Sequence, residues 1–328
     1  MYRFPALNIR SLSFMKCKFC HLWSADRLVM GTGLPGGNYN KFGQLLADAV
    51  NKYSAQTGFR IKPRPTDGSI SNLNGLRDGR FQLGITQADA EYMAWNGKGH
   101  WEKNGKFKSL RTVYELYTEA VTCVATVESG IKTCADFRGK RVALGTEGSG
   151  THINALQALA TCWLKTSDLA QALSINPPQA AKLMTQGKLD AFFLTVGHPN
   201  NQLRKFIASY GRANMVPFAP TKAMTAEAPY YQKYFIWTSD YPGLRNSGMK
   251  VETCGIPSFL VTTDKVPAKT IYEISRIFLS QLEYFKKNMA PMREVEPPER
   301  QSSRDLNWGI SAPFHDGMKQ LLKERGIK

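Results

Sequence analysis

Three stretches of this 328-residue sequence join glycines to small polar side chains in an order that can hold a ligand: LVMGTGLPGGNY at 28–39, PTDGSISN at 65–72 and GTEGSGT at 145–151. In each, a strand-like run leads into Gly, Ser, Thr or Asn and then into a helical pattern. Such a junction offers unpaired backbone N–H groups and hydroxyls at the positive end of a helix, a seat for a carboxylate or a phosphate.

The first stretch carries Gly31-x-Gly33-x-x-Gly36, the spacing of a dinucleotide-binding turn. That chemistry also needs an acidic residue roughly 20 positions on to hold the ribose. The region reads AQTGFRIKPRP, without Asp or Glu. Arg64, between Pro63 and Pro65, keeps an NADP-dependent oxidoreductase open as the alternative. The third stretch is no Walker A loop, because Thr151 stands where a Lys must reach the phosphates. Nor is it a nucleophile elbow, since Glu147 and Thr151 occupy the positions two away from Ser149 where glycines are needed. A ring of N–H groups with two hydroxyls remains.

Other chemistry is thinly supplied. His21, His100, His152, His198 and His315 are scattered without metal-binding spacing. Glu115 and Glu119 bracket Tyr117, and Asp89 follows Gln87; these acids read as solvated or capping groups. Cys17-x-x-Cys20 alone has metal or redox spacing and has no second pair. Cys123, Cys134, Cys162 and Cys254 read as small buried hydrophobes, with a Cys123–Cys134 bridge open in an oxidising compartment. No residue asks to be a nucleophile, so the expectation is a non-enzyme without cofactor or metal.

The elements that must position the loops alternate. Phe42, Leu45, Leu46, Ala49, Val50 and Tyr53 recur at helical spacing, then FRIKPRP, a helix through Ile70, Leu73 and Leu76, the strand FQLGIT, and a helix from about Ala88. SLRTVYEL and AVTCVAT read as two further strands. The second half restarts with KRVALGTEGSGTHINALQALATCWL, whose helix is expected to turn Ile153, Leu156, Leu159, Trp163 and Leu164 inward. A Pro-started helix at 177, the strand AFFLTV, the strand VETCGIPSFLVTT, a long helix from Pro267 and a short last helix follow. Successive βα units mean a mostly parallel sheet covered on both faces. Two α/β lobes result, and without a low-complexity linker they are joined by crossing strands. Strand-to-helix junctions gather at the carboxyl edge of such sheets and face one crevice.

The formal charge is +17, but Lys and Arg are spread in ones and twos and no nucleic-acid motif occurs. No nucleic-acid partner is expected. The apolar runs fall short of the roughly 20 residues that span a bilayer. Residues 1–27 are basic and contain no apolar h-region, so no signal peptide is recognisable; they read as an extension or a misassigned start.

GTGLPGGNYNKFG, TDGSISNLNGLRDGRFQLGITQADAEY, LYTEAVTCV, SGIKTCADFRGKRVALGTEGSGT, GKLDAFF and PFHDGMKQLLKERG occur in the order found in the TAXI family of solute-binding proteins. The chain resembles that family from about Arg27 to its end. These are receptors of tripartite ATP-independent periplasmic (TRAP) transporters. The resemblance implies a type II periplasmic binding protein fold, with lobe 1 at 28–126 plus 253–328, lobe 2 at 127–252 and two crossover strands as hinge. It implies a small anionic solute such as glutamate or 2-oxoglutarate, a TRAP permease as partner, a monomer, and a periplasmic or other extracytoplasmic place. The matching cleft positions are Gly33, Asn38, Tyr39, Thr66, Ser69, Asn72, Gln87, Gly148, Ser149, Gly150 and Thr151. Tyr117 and Glu119 match a Tyr-Pro-Glu stretch, with Thr118 in place of the proline. His315-Asp316-Gly317 replaces His-Pro-Gly near the end. An intracellular ligand-sensing domain of the same fold is the other alternative.

Overall fold

The computed structural model describes residues 26–218, 228, 230–302 and 306–327. The extension expected over 1–27, with Cys17 and Cys20, lies outside them except for positions 26 and 27, which open the first strand.

β1 (Asp26–Gly31), β2 (Phe59–Arg64) and β3 (Leu83–Gln87) run parallel, joined through α1 (Asn38–Asn51), the short α2 (Ser54–Thr57) and α3 (Ser69–Arg77). β2 is an edge strand and alternates, Phe59 and Ile61 inward with Arg60 and Lys62 outward. β3 lies inside the sheet and is buried at every position. α4 (Ala88–Asn96) then leads to β4 (Leu110–Thr126). The second βα set contains β5 (Arg141–Ala143), α5 (Gly150–Thr161), β6 (Gln171–Leu173), α6 (Pro177–Thr185), β7 (Ala191–Val196) and α7 (Asn201–Tyr210), with β5 parallel to both β6 and β7. β8 (Ala213–Val216), β9 (Gln232–Trp237) and β10 (Lys250–Thr263) follow. α8 (Ala268–Ser280), α9 (Leu282–Asn288) and α10 (Asp316–Glu324) return to cover the first sheet.

The two runs read as separate strands, SLRTVYEL and AVTCVAT, are one 17-residue strand, β4. The polar Thr118–Glu119 step between them does not break it, because β10 pairs across that point with Ile256 opposite Glu119. β4 pairs with β10 up to Ala120 and from there with β7 and β8; β10 pairs with β9 up to Gly255 and then with β4 and β3. Both long strands therefore pass from one lobe to the other at Ala120 and Gly255. The sheet order is β2-β1-β3-β10-β4-β7-β5-β6, with β9 on β10 and β8 on β4.

Phe42, Leu46 and Val50 of α1 pack with Ile271, Ile274, Ile277 and Phe278 of α8 over lobe 1. His315 caps α10, its Nδ1 accepting from Gly317 N at 3.1 Å. Gly317 must lack a side chain, since a Cβ there would overlap the α8 backbone at Ala268 and Tyr272.

Two local expectations are corrected. Ile153, Leu159 and Leu164 are buried, but Leu156 is 38% exposed and Trp163 is 92% exposed. Ala155 and Ala158 share the buried face of α5 in place of Leu156. The helix ends at Thr161, and Trp163 takes φ 58°, which turns its side chain out of the helical register. The cysteines also pair differently: Cys134 is bonded to Cys162, with Cα atoms 5.8 Å apart. Cys123 is fully buried in the sheet, opposite Phe193 of β7, and is free.

Candidate functional site

The three Gly-rich junctions meet. The β1–α1 and β2–α3 loops of lobe 1 and the β5–α5 loop of lobe 2 bound a cavity of about 370 Å³ between the lobes.

On the lobe 1 side lie Gly33, Leu34, Asn38, Tyr39, Asp67, Gly68, Ser69, Gln87 and Glu119. Gly68 has φ +124°, a conformation L side chains rarely adopt, and a Cβ built there would lie at ordinary contact distance from Ser149. Tyr39 Oη donates to Glu119 Oε2 at 2.8 Å, and Ser69 Oγ accepts from Gln87 N at 3.1 Å. Sequence alone reads Glu119 as a solvated or capping acid; it is 3% exposed. Burial pushes its carboxyl from the ordinary 4.5 up to about 8, against the pull of hydrogen bonds from Tyr39 and Gln87. Burial, and then the proximity of Glu119, also push the Tyr39 hydroxyl well above 10. Burial thus favours the uncharged form of both groups.

Asp89 is likewise no surface acid. It is fully buried, accepts from Asn154 Nδ2 of α5 at 2.6 Å, and burial raises it from 3.8 to about 6.

On the lobe 2 side the α5 N-terminus faces the cavity. Ser149 Oγ accepts from His152 N at 3.2 Å and donates to Thr146 O at 2.6 Å, so this hydroxyl is spent on capping. The N–H groups of Gly150 and Thr151, in the first turn, have no intrahelical acceptor. Thr151 Oγ1 accepts from Thr195 N at 3.0 Å. Thr195 Oγ1 and Gln87 Oε1 are buried without a hydrogen-bond partner, and both residues line the cavity. Unpaired buried polar atoms are rare and call for an explanation. Beyond these donors the wall is mostly carbon: Pro178 and Ala181 of α6, Phe192 and Leu194 of β7, Leu203 and Phe206 of α7, with Asn200, Gln202 and Lys205 as its polar members. Phe192 and Phe206 pack edge to face at 5.7 Å.

The lobes touch directly. Ser71 N donates to Gly148 O at 3.1 Å, Asn38 Nδ2 to Gly197 O at 3.0 Å, and Gln202 Nε2 to Pro35 O at 3.3 Å. Gly150 is needed at this seam, since a Cβ would overlap Gln87 Oε1. The loop that could serve as a dinucleotide turn is thus engaged with lobe 2 through Pro35 and Asn38.

Residues 30–326 match the NMT1-like family. The chain belongs to the NMT1-like family. The structure of PhnD1 from Prochlorococcus marinus (MIT 9301), solved with methylphosphonate, is similar over 92% of this chain and 99% of that one, at 10% identity and a TM-score of 0.55. A protein from Bordetella bronchiseptica RB50 is similar over 92% and 98%, at 12% identity and a TM-score of 0.56. The alkanesulfonate-binding protein SsuA from Xanthomonas axonopodis pv. citri, bound to MOPS, is similar over 81% and 76%, at 16% identity and a TM-score of 0.49. This NMT1-like chain has the periplasmic-binding-protein fold, two α/β lobes with a cleft between them and two crossover strands.

Not every expected site residue lines the cavity. Thr66 and Asn72 stand behind it: Asn72 Nδ2 donates to Thr32 O at 2.7 Å and Ile85 O at 2.8 Å, and Thr66 Oγ1 to Asn72 Oδ1 at 2.8 Å. They brace the loops. Tyr117 is buried in the lobe 1 core against Gly197 and Pro291. Gly148 lies on the seam against Ser71 and Asp67. The α6, β7 and α7 wall is absent from the sequence expectation. It follows from the same rule, since β6–α6 and β7–α7 are further strand-to-helix junctions, but they lack the Gly and Ser signature that marks the others.

Proposed function

We propose that this NMT1-like protein is a solute receptor of a transporter, and in particular the TAXI-type receptor of a TRAP system, which captures a small organic carboxylate by lobe closure. The observation that carries the reading is the interlobe cavity at the α5 N-terminus, lined by Thr195, whose Oγ1 is buried and unpartnered and whose N–H is bonded to Thr151 of the first α5 turn; the N–H groups of Gly150 and Thr151 have no intrahelical acceptor. A carboxylate docked there would satisfy all three donors and hold the lobes together. The sequence motifs support the TAXI and TRAP assignment, with glutamate and 2-oxoglutarate as the solutes they imply. The protein acts as a monomeric binder and not as an enzyme; its partner is the membrane permease. An extracytoplasmic place is supported by the Cys134–Cys162 disulfide, since such bonds persist in oxidising compartments.

The test is calorimetric titration of the purified protein with glutamate, 2-oxoglutarate, monocarboxylates and, because PhnD1 holds it, methylphosphonate. Saturable binding of a carboxylate that is weakened about tenfold in Thr195→Val and about 30-fold in Gly150→Val supports the reading. Absence of binding by every carboxylate, or tighter binding of methylphosphonate than of any of them, sinks the carboxylate assignment.

A further inference from the structure

The donors in the cavity suffice for one carboxylate, and little else there welcomes a second. Among the lining residues the only cation is Lys205, exposed on α7, while Asp67 and Glu119 are acids. Most of the remaining lobe 2 wall is formed by Pro178, Ala181, Phe192, Leu194, Leu203 and Phe206; the side-chain amides of Asn200 and Gln202, which also line it, are already engaged with Asn38 and Pro35 across the cleft. An ionised group placed against that carbon loses its water without gaining a partner, which is strongly unfavourable. An apolar group placed there is released from water and packs on aromatic rings already in contact with each other. The cavity volume, about 370 Å³, lies within the range of pockets that enclose ligands with a sizeable apolar body.

We propose that the cavity takes an organic monocarboxylate with an apolar body, its carboxylate on Gly150, Thr151 and Thr195 and its carbon chain or ring against Leu203 and Phe206, in preference to a short dicarboxylate. This rests on the receptor reading above and narrows its solute class. Gln87 Oε1, buried and unpartnered, gives the site an acceptor for a hydroxyl or amino group next to the carboxylate. The specificity-determining residues are then those of α6 and α7, while the Gly and Ser loops recognise only the acid.

The deciding experiment titrates the full-length protein with the 2-hydroxy acids from lactate through 2-hydroxyoctanoate, and with 2-oxoglutarate and glutamate in parallel. Affinity is expected to rise roughly fourfold for each added methylene until the wall is covered, the ratio that burial of one CH₂ supplies. Phe206→Ser should flatten the series; the unaltered protein carries the decision by itself if that variant folds poorly. Tighter binding of 2-oxoglutarate or glutamate than of every monocarboxylate, with no gain along the series, overturns the proposal and leaves the receptor reading intact. Binding by none of these acids overturns both.

Discussion

The two walls of the cleft are built on opposite plans. On lobe 1 the polar groups are largely spent on one another: Asn72 holds Thr32, Ile85 and Thr66, Tyr39 holds Glu119, and Ser69 holds the Gln87 backbone. On lobe 2 the first N–H groups of α5 and the Thr195 hydroxyl are left over, and most of the rest of the wall is apolar. Lobe 1 is therefore a braced plate whose polar residues mostly serve stability, with Gln87 Oε1 the exception, and lobe 2 carries most of the unspent capacity that a ligand can use. Substitutions on the first wall should lower stability; those on the second should lower binding.

The largest effect expected is on pH dependence, and it comes from acids on or beside the lobe 1 wall. Burial raises Asp89 from 3.8 to about 6, Glu91 from 4.5 to about 7 and Glu119 from 4.5 to about 8. The folded protein thus keeps protons that the unfolded chain releases between about pH 4 and pH 8, so stability falls as pH rises through that window. The loss should amount to a few kcal/mol in total, on the order of 1.4 kcal/mol for each tenfold gain in a carboxyl's proton affinity before relaxation reduces it. Urea midpoints measured across the window test this. Glu119→Gln should remove the uppermost part of the slope; a flat profile in the unaltered protein would mean the acids are hydrated and the lobe 1 plate is not dry.

Next in size is the contrast between Asn72 and Thr195. Asn72→Ala strands the carbonyls of Thr32 and Ile85 and should cost about 3 kcal/mol of stability. Thr195→Val removes a hydroxyl that has no protein partner, so stability should change by less than about 0.5 kcal/mol. Its carboxylate affinity should drop about tenfold, the worth of one hydrogen bond. If Thr195→Val proves as destabilising as Asn72→Ala, the division of labour between the walls is wrong.

Gly150→Val tests the seam. Its side chain would meet Gln87 and Ser69 only when the lobes are together, so lobe 2 should fold normally while closure is penalised by about 2 kcal/mol, a typical overpacking cost. Affinity should fall about 30-fold, and small-angle scattering should report a larger radius of gyration. An unchanged radius would show that the seam yields by moving Gln87 alone.

What was legible in the sequence follows the same division. The parallel βα order within each lobe, the lobes and the three Gly-rich junctions could be read because hydrophobic period and turn chemistry are local properties; the sheet as a whole is mixed and not mostly parallel, because β4 and β10 run antiparallel to their neighbours. Seeing Thr66 and Asn72 as braces required knowing that Thr32 and Ile85 come within hydrogen-bonding reach, a fact about packing between β1, β3 and α3. Glu119 and Asp89 read as solvated or capping acids because burial of a carboxyl leaves no mark in a single sequence. Phe206 and Leu203 were hidden for a further reason: apolar residues on a helix read as core, and only the structure shows that their face borders a cavity.

The smallest effect comes from a position where helical periodicity misled. After α5 ends, Trp163 N donates to Ala160 O at 3.0 Å and Leu164 N to Leu159 O at 3.0 Å, the arrangement of a helix stop with a left-handed residue. That place favours glycine, yet it holds a tryptophan at φ 58° with 92% of its surface exposed. Its side chain gives up little by removal, and its backbone is strained, so Trp163→Gly should raise stability by about 0.5–1 kcal/mol. Leu164, two residues past the helix cap and buried, should keep its place. Loss of stability in Trp163→Gly would instead show that the exposed ring packs on something outside the described residues.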